Sequence, residues 1–252
     1  MTDQAKYMIR CSGKQRAMSL LLFLTLVLSL QAQDDSNPLY LDVKEDAENR
    51  YGPMAELING EKYNYTYRFS GGNPFFESDL SDKASIQING RMYKDQKVRY
   101  DIYKQLMVLE FVNRSGAPES VVLRNEWLDF VLIGNSYFRE FPEEDGSPRF
   151  GQVIYEGEFS CIYFWEKRYI PNLDAGGKSY YFSEPIRRSY VVEKGLFTPF
   201  KSKRSFLKCF PKQHKADIRL YMKERRIRFR KADDMEMASI MKFINQIPGN
   251  ET

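Results

Sequence analysis

The chain holds a single histidine, His214, so any chemistry that needs a histidine base has one position to use. It sits in the basic run Lys212-Gln213-His214-Lys215, without a Gly-x-Ser-x-Gly turn or an acid-rich neighbourhood. Ser-His-Asp and Cys-His systems need a base that a third group orients. That context is missing, and His214 reads as a solvated helix residue. Ser205-Phe206-Leu207-Lys208 matches the Ser-x-x-Lys of serine–lysine acyl enzymes. Their companion patterns Ser-Asp-Asn and Lys-Thr-Gly are absent, which leaves a helix turn with Phe206 inward and Lys208 outward. Zinc asks for several His and Cys ligands, and beyond residue 32 only Cys161, Cys209 and His214 qualify. No metal, cofactor or catalytic residue is therefore expected. The two cysteines make no disulfide framework and are expected to stay unpaired.

Carboxylates leave one enzyme class open. Glu143, Glu144 and Asp145 share a loop, but acids that cleave a glycoside must face each other across the substrate. Neighbouring acids beside Pro and Gly face water instead, and their spacing lacks the Asp/Asn alternation of a calcium loop. Glycan chemistry through two acids distant in sequence is the surviving enzymatic alternative. Gly71-Gly72 and Gly176-Gly177 are isolated turn pairs, not a phosphate loop.

Charge is distributed unevenly. Residues 199–232 carry 13 Lys or Arg against two acids, a balance of +11, whereas residues 33–198 carry 20 against 27, a balance of −7. Such a block is commonly a solvated helix surface. As a site it would attract an anionic envelope surface or an acidic partner over about 8–10 Å, through Arg225, Arg226, Arg228, Arg230 and Lys231. Nucleic acid would suit the same run, but the N-terminal segment argues against that partner.

Residues 18–30 form an apolar run of 13, preceded by Lys6, Arg10, Lys14 and Arg16 and followed by Gln31-Ala32. That order of charge, apolar core and small exit residue is a secretory signal peptide, too short to span a bilayer of roughly 30 Å comfortably. Cleavage near Ala32 lowers the formal charge from +4 to +1 and leaves a chain that works in the periplasm, at the cell surface or outside the cell. No later run suggests a transmembrane span.

The remaining segments would have to position any site. Residues 33–60 are expected to be a loosely ordered arm, with a short helix over 44–50. From residue 61 the apolar period becomes two: Tyr63, Tyr65, Tyr67 and Phe69 predict a strand with one buried face. Asn89-Gly90 predicts a hairpin. Leu106–Val112 is apolar on both faces, as a central strand is. Strands are also predicted over Trp127–Ile133, Phe150–Tyr155, Phe159–Trp165 and Ser189–Val192. After Phe200 the period turns helical: a short helix over Ser202–Phe210, another after Pro211, and a last one capped by Asp233 with an apolar stripe through Met237, Ile240, Met241 and Ile244. The expected fold is α+β: an antiparallel β meander over 61–200, barrel-like or a sandwich, with a basic helical tail over 201–252. Strands apolar on both faces speak against an outer-membrane barrel.

Several motifs occur in a suggestive order. They are Asn59-Gly60-Glu61-Lys62-Tyr63, Gly72-Asn73-Pro74-Phe75-Phe76, Ile88-Asn89-Gly90-Arg91-Met92-Tyr93, Gly134-Asn135-Ser136-Tyr137-Phe138, Val153-Ile154-Tyr155-Glu156-Gly157 and Lys201-Ser202-Lys203-Arg204-Ser205-Phe206-Leu207. In this the chain resembles a group of uncharacterised exported proteins of Bacteroidota-type Gram-negative bacteria, over about residues 57–247. The resemblance implies bacterial export and a β-rich body with a helical tail, and no activity. The expected function is non-catalytic binding of an envelope protein, glycan or anionic surface, with a glycan-active enzyme or a structural envelope component as alternatives.

Overall fold

The computed structural model describes residues 55–77, 82–113, 115–142, 148–172 and 180–247. The expected signal peptide, most of the expected arm and the acid loop at 143–145 lie outside the described residues.

A single helical turn, α1 (Ala55–Ile58), precedes strands β1 (Asp82–Ile88), β2 (Arg91–Asp101), β3 (Leu106–Val112) and β4 (Pro118–Val122). Then follow β5 (Leu128–Ile133), β6 (Ser136–Pro142), β7 (Pro148–Tyr155) and β8 (Phe159–Glu166). A small hairpin, β9 (Tyr169–Pro171) with β10 (Tyr180–Phe182), interrupts the series before β11 (Ile186–Glu193) and β12 (Leu196–Phe200). Ten strands form one antiparallel sheet in the order β4-β3-β2-β1-β5-β6-β7-β8-β11-β12. β5 pairs with β1, not with its predecessor β4, so two meanders stand side by side. Among the described residues no ladder joins β4 to β12.

Turn chemistry explains much of the pairing. Asn89 and Gly90 take φ of 48° and 78°, the two left-handed values that let a two-residue turn follow the right-handed twist of its strands. Lys194 and Gly195, at 50° and 81°, repeat this between β11 and β12. That second hairpin was not expected, because Pro199 obscures the strand after it. β12 is an edge strand, where a missing N–H costs no ladder bond.

Three helices end the described chain: α2 (Lys203–Lys208), α3 (His214–Glu224) and α4 (Asp234–Ile244). Ser202 and Ser205 form a reciprocal cap on α2, as do Asp233 and Glu236 on α4, each satisfying N–H groups the helix leaves open. One core lies on β1–β6, around Ile86, Tyr100, Leu109, Val131 and Phe138. The other joins Cys161, Tyr163, Val191 and Phe200 of the sheet to Phe206, Leu207, Phe210, Ile218, Met222, Met237, Ile240 and Met241. Each of these buried side chains contributes roughly 1.5–3 kcal/mol. Apolar burial, not attraction between a basic tail and an acidic body, therefore holds the helices down. Among the described residues no ion pair involves the block 199–232. Asn245 adds a polar clamp: its amide accepts from Phe159 N at 3.0 Å and donates to Phe159 O at 2.9 Å.

Candidate functional site

The candidate site forms where the segment 59–77 crosses the face of β2–β4. At its start, Val122 N donates to Glu61 O at 2.8 Å and Tyr63 N to Ser120 O at 2.9 Å, covering the free edge of β4. At its end, Phe76 N donates to Tyr100 O and Ile102 N to Pro74 O. Between these ties the chain makes only isolated bridges and turns at Arg68-Phe69, where Ser70 N donates to Tyr67 O at 3.1 Å, which corrects the expected strand over Tyr63–Phe69. β4 pairs through all five of its residues with β3 on its other edge, and past Tyr63 the crossing segment is held by its rings. Tyr63 is buried and Tyr65 and Tyr67 half-buried, whereas Phe69 turns out to solvent at 87 % exposure.

Register decides what the tyrosines meet. Arg99 lies opposite Val108, Asp101 opposite Leu106, Glu110 opposite Ser120. Alternate residues and their cross-strand partners share one face, so this face carries two acids and a guanidinium. Between it and the crossing segment is an open cleft of about 330 Å³, walled by Tyr63, Tyr65, Asn73 and Phe75, with Arg99 and Glu110 within it. Tyr65 stacks on Phe75 at 6.2 Å. Arg99 Nε lies 2.9 Å from Glu110 Oε1, and its Cζ 4.8 Å from the Phe75 ring centroid.

The aromatic wall continues past the cleft. Tyr67 meets Tyr65, Tyr103, Tyr169 and Phe182 edge-on, with centroids 5.0–5.9 Å apart, and Tyr169 stacks on Tyr180 at 4.9 Å. Lys104 Nζ stands 5.3 Å from the rings of both Tyr63 and Tyr67. The β9–β10 hairpin is brought in by Gly71, whose N–H donates to Tyr180 O and whose carbonyl accepts from Phe182 N, both at 2.9 Å. A Cβ on Gly71 would lie 3.0 Å from Tyr181 Cβ. Ser70 Oγ and Tyr169 Oη share a hydrogen bond of 2.7 Å. Tyr103, Tyr180 and Tyr181 remain 39–44 % exposed.

Asp101 lies directly beneath the tyrosines and is wholly buried. Its Oδ2 accepts from Tyr63 Oη at 2.7 Å, and its Oδ1 from the N–H groups of Tyr103 and Lys104 at 3.0 and 2.8 Å. Burial raises its pKa, winning over the downward pull of these donors. Both oxygens serve to tie Tyr63 to the β2–β3 turn, and Glu110 is occupied by Arg99. Their arrangement is that of a scaffold for the aromatic wall.

The residues singled out from sequence lie elsewhere. Arg225, Arg226, Arg228, Arg230 and Lys231 are all exposed, on the link between α3 and α4, where Phe229–Lys231 make one short 3-10 turn. Arg226 takes φ of 56°, which stops α3. Beyond it Ile227 and Phe229 pack into the core while Arg226, Arg228 and Arg230 alternate outward. His214 is not solvated as expected: it is 6 % exposed, and neither ring nitrogen has a hydrogen-bond partner among the described residues. Ser205 Oγ accepts from Lys201 N and Ser202 N, so the Ser-x-x-Lys match is a helix cap. Cys161 is a buried free thiol and Cys209 a half-buried one.

Among the described residues no group of three or more His, Cys, Asp or Glu is placed to hold a metal ion, and no helix is long and apolar enough to cross a membrane. Comparison with protein-family models, with curated proteins and with solved structures finds no match. The cleft's chemistry rests on its own residues. Alternating tyrosines at 63, 65 and 67 were the sequence signal for it, read there as a strand's core face.

Proposed function

We propose that this chain is an exported, non-catalytic binding protein whose ligand is a glycan seated on the tyrosine-lined cleft. The observation that carries this reading is the continuity of the aromatic wall from Tyr65 and Phe75 to the exposed Tyr103 and Tyr180. Sugar rings offer apolar C–H faces and hydroxyl edges. Tyrosine rings match the first, while tyrosine hydroxyls, Asn73 and the Arg99–Glu110 pair match the second. A concave site with apolar walls and a few polar groups is the usual form of a small-ligand pocket, and amphipathic rings suit a surface wet on one side. Export rests on the basic leader, the 13-residue apolar run and Ala32.

The test is a glycan array probed with the mature protein, followed by calorimetry on any glycan bound. Tyr65→Ala and Tyr103→Ala are each expected to weaken binding about tenfold, the loss of one well-packed ring contact. Absence of binding across the array, or binding that neither substitution alters, overturns the reading. Intact mass of the exported protein tests its address, since a species that retains residues 18–30 contradicts it.

A further inference from the structure

A second site lies away from the cleft, on the helices. Lys203, Arg204 and Lys208 of α2 face Lys215 and Arg219 of α3 across a groove of about 470 Å³, with Leu207 also lining it. We infer that this groove binds a polyanion presenting two or more adjacent phosphate groups.

Residues four apart share one helix face. Arg204 with Lys208, and Lys215 with Arg219, therefore stack like charges one turn apart, each pair on its own helix. Such pairs oppose helix formation. The helices persist because Phe206, Leu207, Ile218 and Met222 are buried in the core and because Ser202 and Ser205 cap α2. No acidic side chain lines the groove, and among the described residues none of the five cations has an ion-pair partner. The result is a concentration of charge held in place before any ligand arrives.

Charge and size choose the ligand class. Five cations around one concavity focus a field that a multivalent anion neutralises best. Arg204 and Arg219 each offer a planar fork suited to two phosphate oxygens. The volume corresponds to roughly fifteen waters, room for a chain of phosphates and far more than one phosphate fills. The source is either a soluble polyphosphate or the clustered phosphates of a lipid surface.

The mature protein is titrated with inorganic tripolyphosphate by calorimetry, at low and at raised salt. One-to-one binding that weakens with salt is expected, with orthophosphate binding far less tightly. Two variants remove the same charge from different places. Arg204→Gln, Lys208→Gln, Lys215→Gln and Arg219→Gln together remove four of the groove's five cations; Arg225→Gln, Arg226→Gln, Arg228→Gln and Arg230→Gln together remove four of the five in the α3–α4 link. The first set is expected to cost at least about tenfold in affinity and the second no more than about threefold, a bulk-field effect. Should the first set fail to fold, Lys208→Gln with Arg219→Gln, both exposed, carries the comparison. Retention on phosphatidic acid vesicles that tripolyphosphate competes away assigns a lipid source; tripolyphosphate binding without retention assigns a soluble one. No binding of tripolyphosphate, or equal losses in the two sets, overturns the proposal.

Discussion

The Tyr63 hydroxyl donates to Asp101 Oδ2 at 2.7 Å, and the carboxylate beneath it has no exposure to solvent. The two residues are 38 positions apart, one on the crossing segment and one at the end of β2. Their bond fixes the floor on which Tyr65 and Tyr67 rest. A hydrogen bond to a charged group contributes about 1.5–3 kcal/mol, and a buried charge left short of a donor costs more than the bond alone. Tyr63→Phe is therefore expected to lower stability by about 2 kcal/mol at pH 7, measured by urea unfolding.

Asp101 should also give stability a pH dependence of defined sign. Its carboxyl titrates above the ordinary value in the folded protein because of burial. A raised folded value means that the folded state holds the proton more tightly than the unfolded chain. This contribution is complete below about pH 3.9, the unfolded value, and is lost as pH rises through the raised value. Asp101→Asn removes it. The difference in unfolding free energy between the parent and Asp101→Asn is expected to shift against the parent as pH rises through that window. A difference that stays constant between pH 3 and pH 7 would show that Asp101 titrates alike folded and unfolded.

How far the sequence reached depends on what kind of force sets each element. Hairpins follow from local backbone preference, so Asn89-Gly90 marked its turn before any contact was known. The cap at Asp233 and the stripe from Met237 to Ile244 are likewise local patterns with local causes. The return of β5 to β1 is set by long-range pairing, which no window of sequence contains. The cleft is of the same kind. Tyr63, Tyr65 and Tyr67 alternate as a strand does, and only the segment's departure from the edge of β4 after Tyr63 makes them a wall. The α2–α3 groove went unseen because counting charge over 199–232 does not tell Lys208 and Arg219, which share a concavity, from Arg226 and Arg228, which do not.

Gly60 has a precise steric role in that wall. A Cβ there would stand 1.8 Å from Val122 O, an overlap with backbone that no side-chain movement relieves. Gly60→Ala should therefore push Glu61–Tyr63 off the edge of β4, breaking the bonds from Val122 N and from Tyr63 N. A loss of about 2 kcal/mol or more is expected, in the range of backbone-strain substitutions, with weakened binding at the cleft. Unchanged unfolding together with unchanged binding would show that the segment tolerates a shift.

The two cysteines should resist modification while the protein is folded. Burial pushes the Cys161 thiol up to about 12, so at pH 8 roughly one molecule in ten thousand carries the reactive thiolate there. Burial raises the Cys209 thiol as well, and its Sγ lies 3.4 Å from Ser205 O. Iodoacetamide at pH 8 is expected to label neither residue in native protein over minutes, and both after unfolding. Rapid native labelling of Cys161 contradicts its burial. Protection of both after unfolding without reductant, at the mass of one chain, reveals a disulfide between them.

His214 supplies a test of a different sort, because here the parent residue is expected to be the worse choice. Its ring is buried at the first position of α3, and both nitrogens lack partners among the described residues. Taking a polar group out of water without a compensating bond costs about 1–3 kcal/mol. Leucine is only slightly larger than histidine and brings no polar atom, so His214→Leu is expected to raise stability by about 1 kcal/mol. His214→Ala removes the same polar atoms but leaves a void, and the lost packing should outweigh the relief. The order expected in urea unfolding is His214→Leu above the parent and His214→Ala below it. A His214→Leu variant less stable than the parent by 1 kcal/mol or more would mean that the imidazole holds a bond worth keeping. In that case the residue is a polar tie at the root of α3, not a tolerated defect in the core.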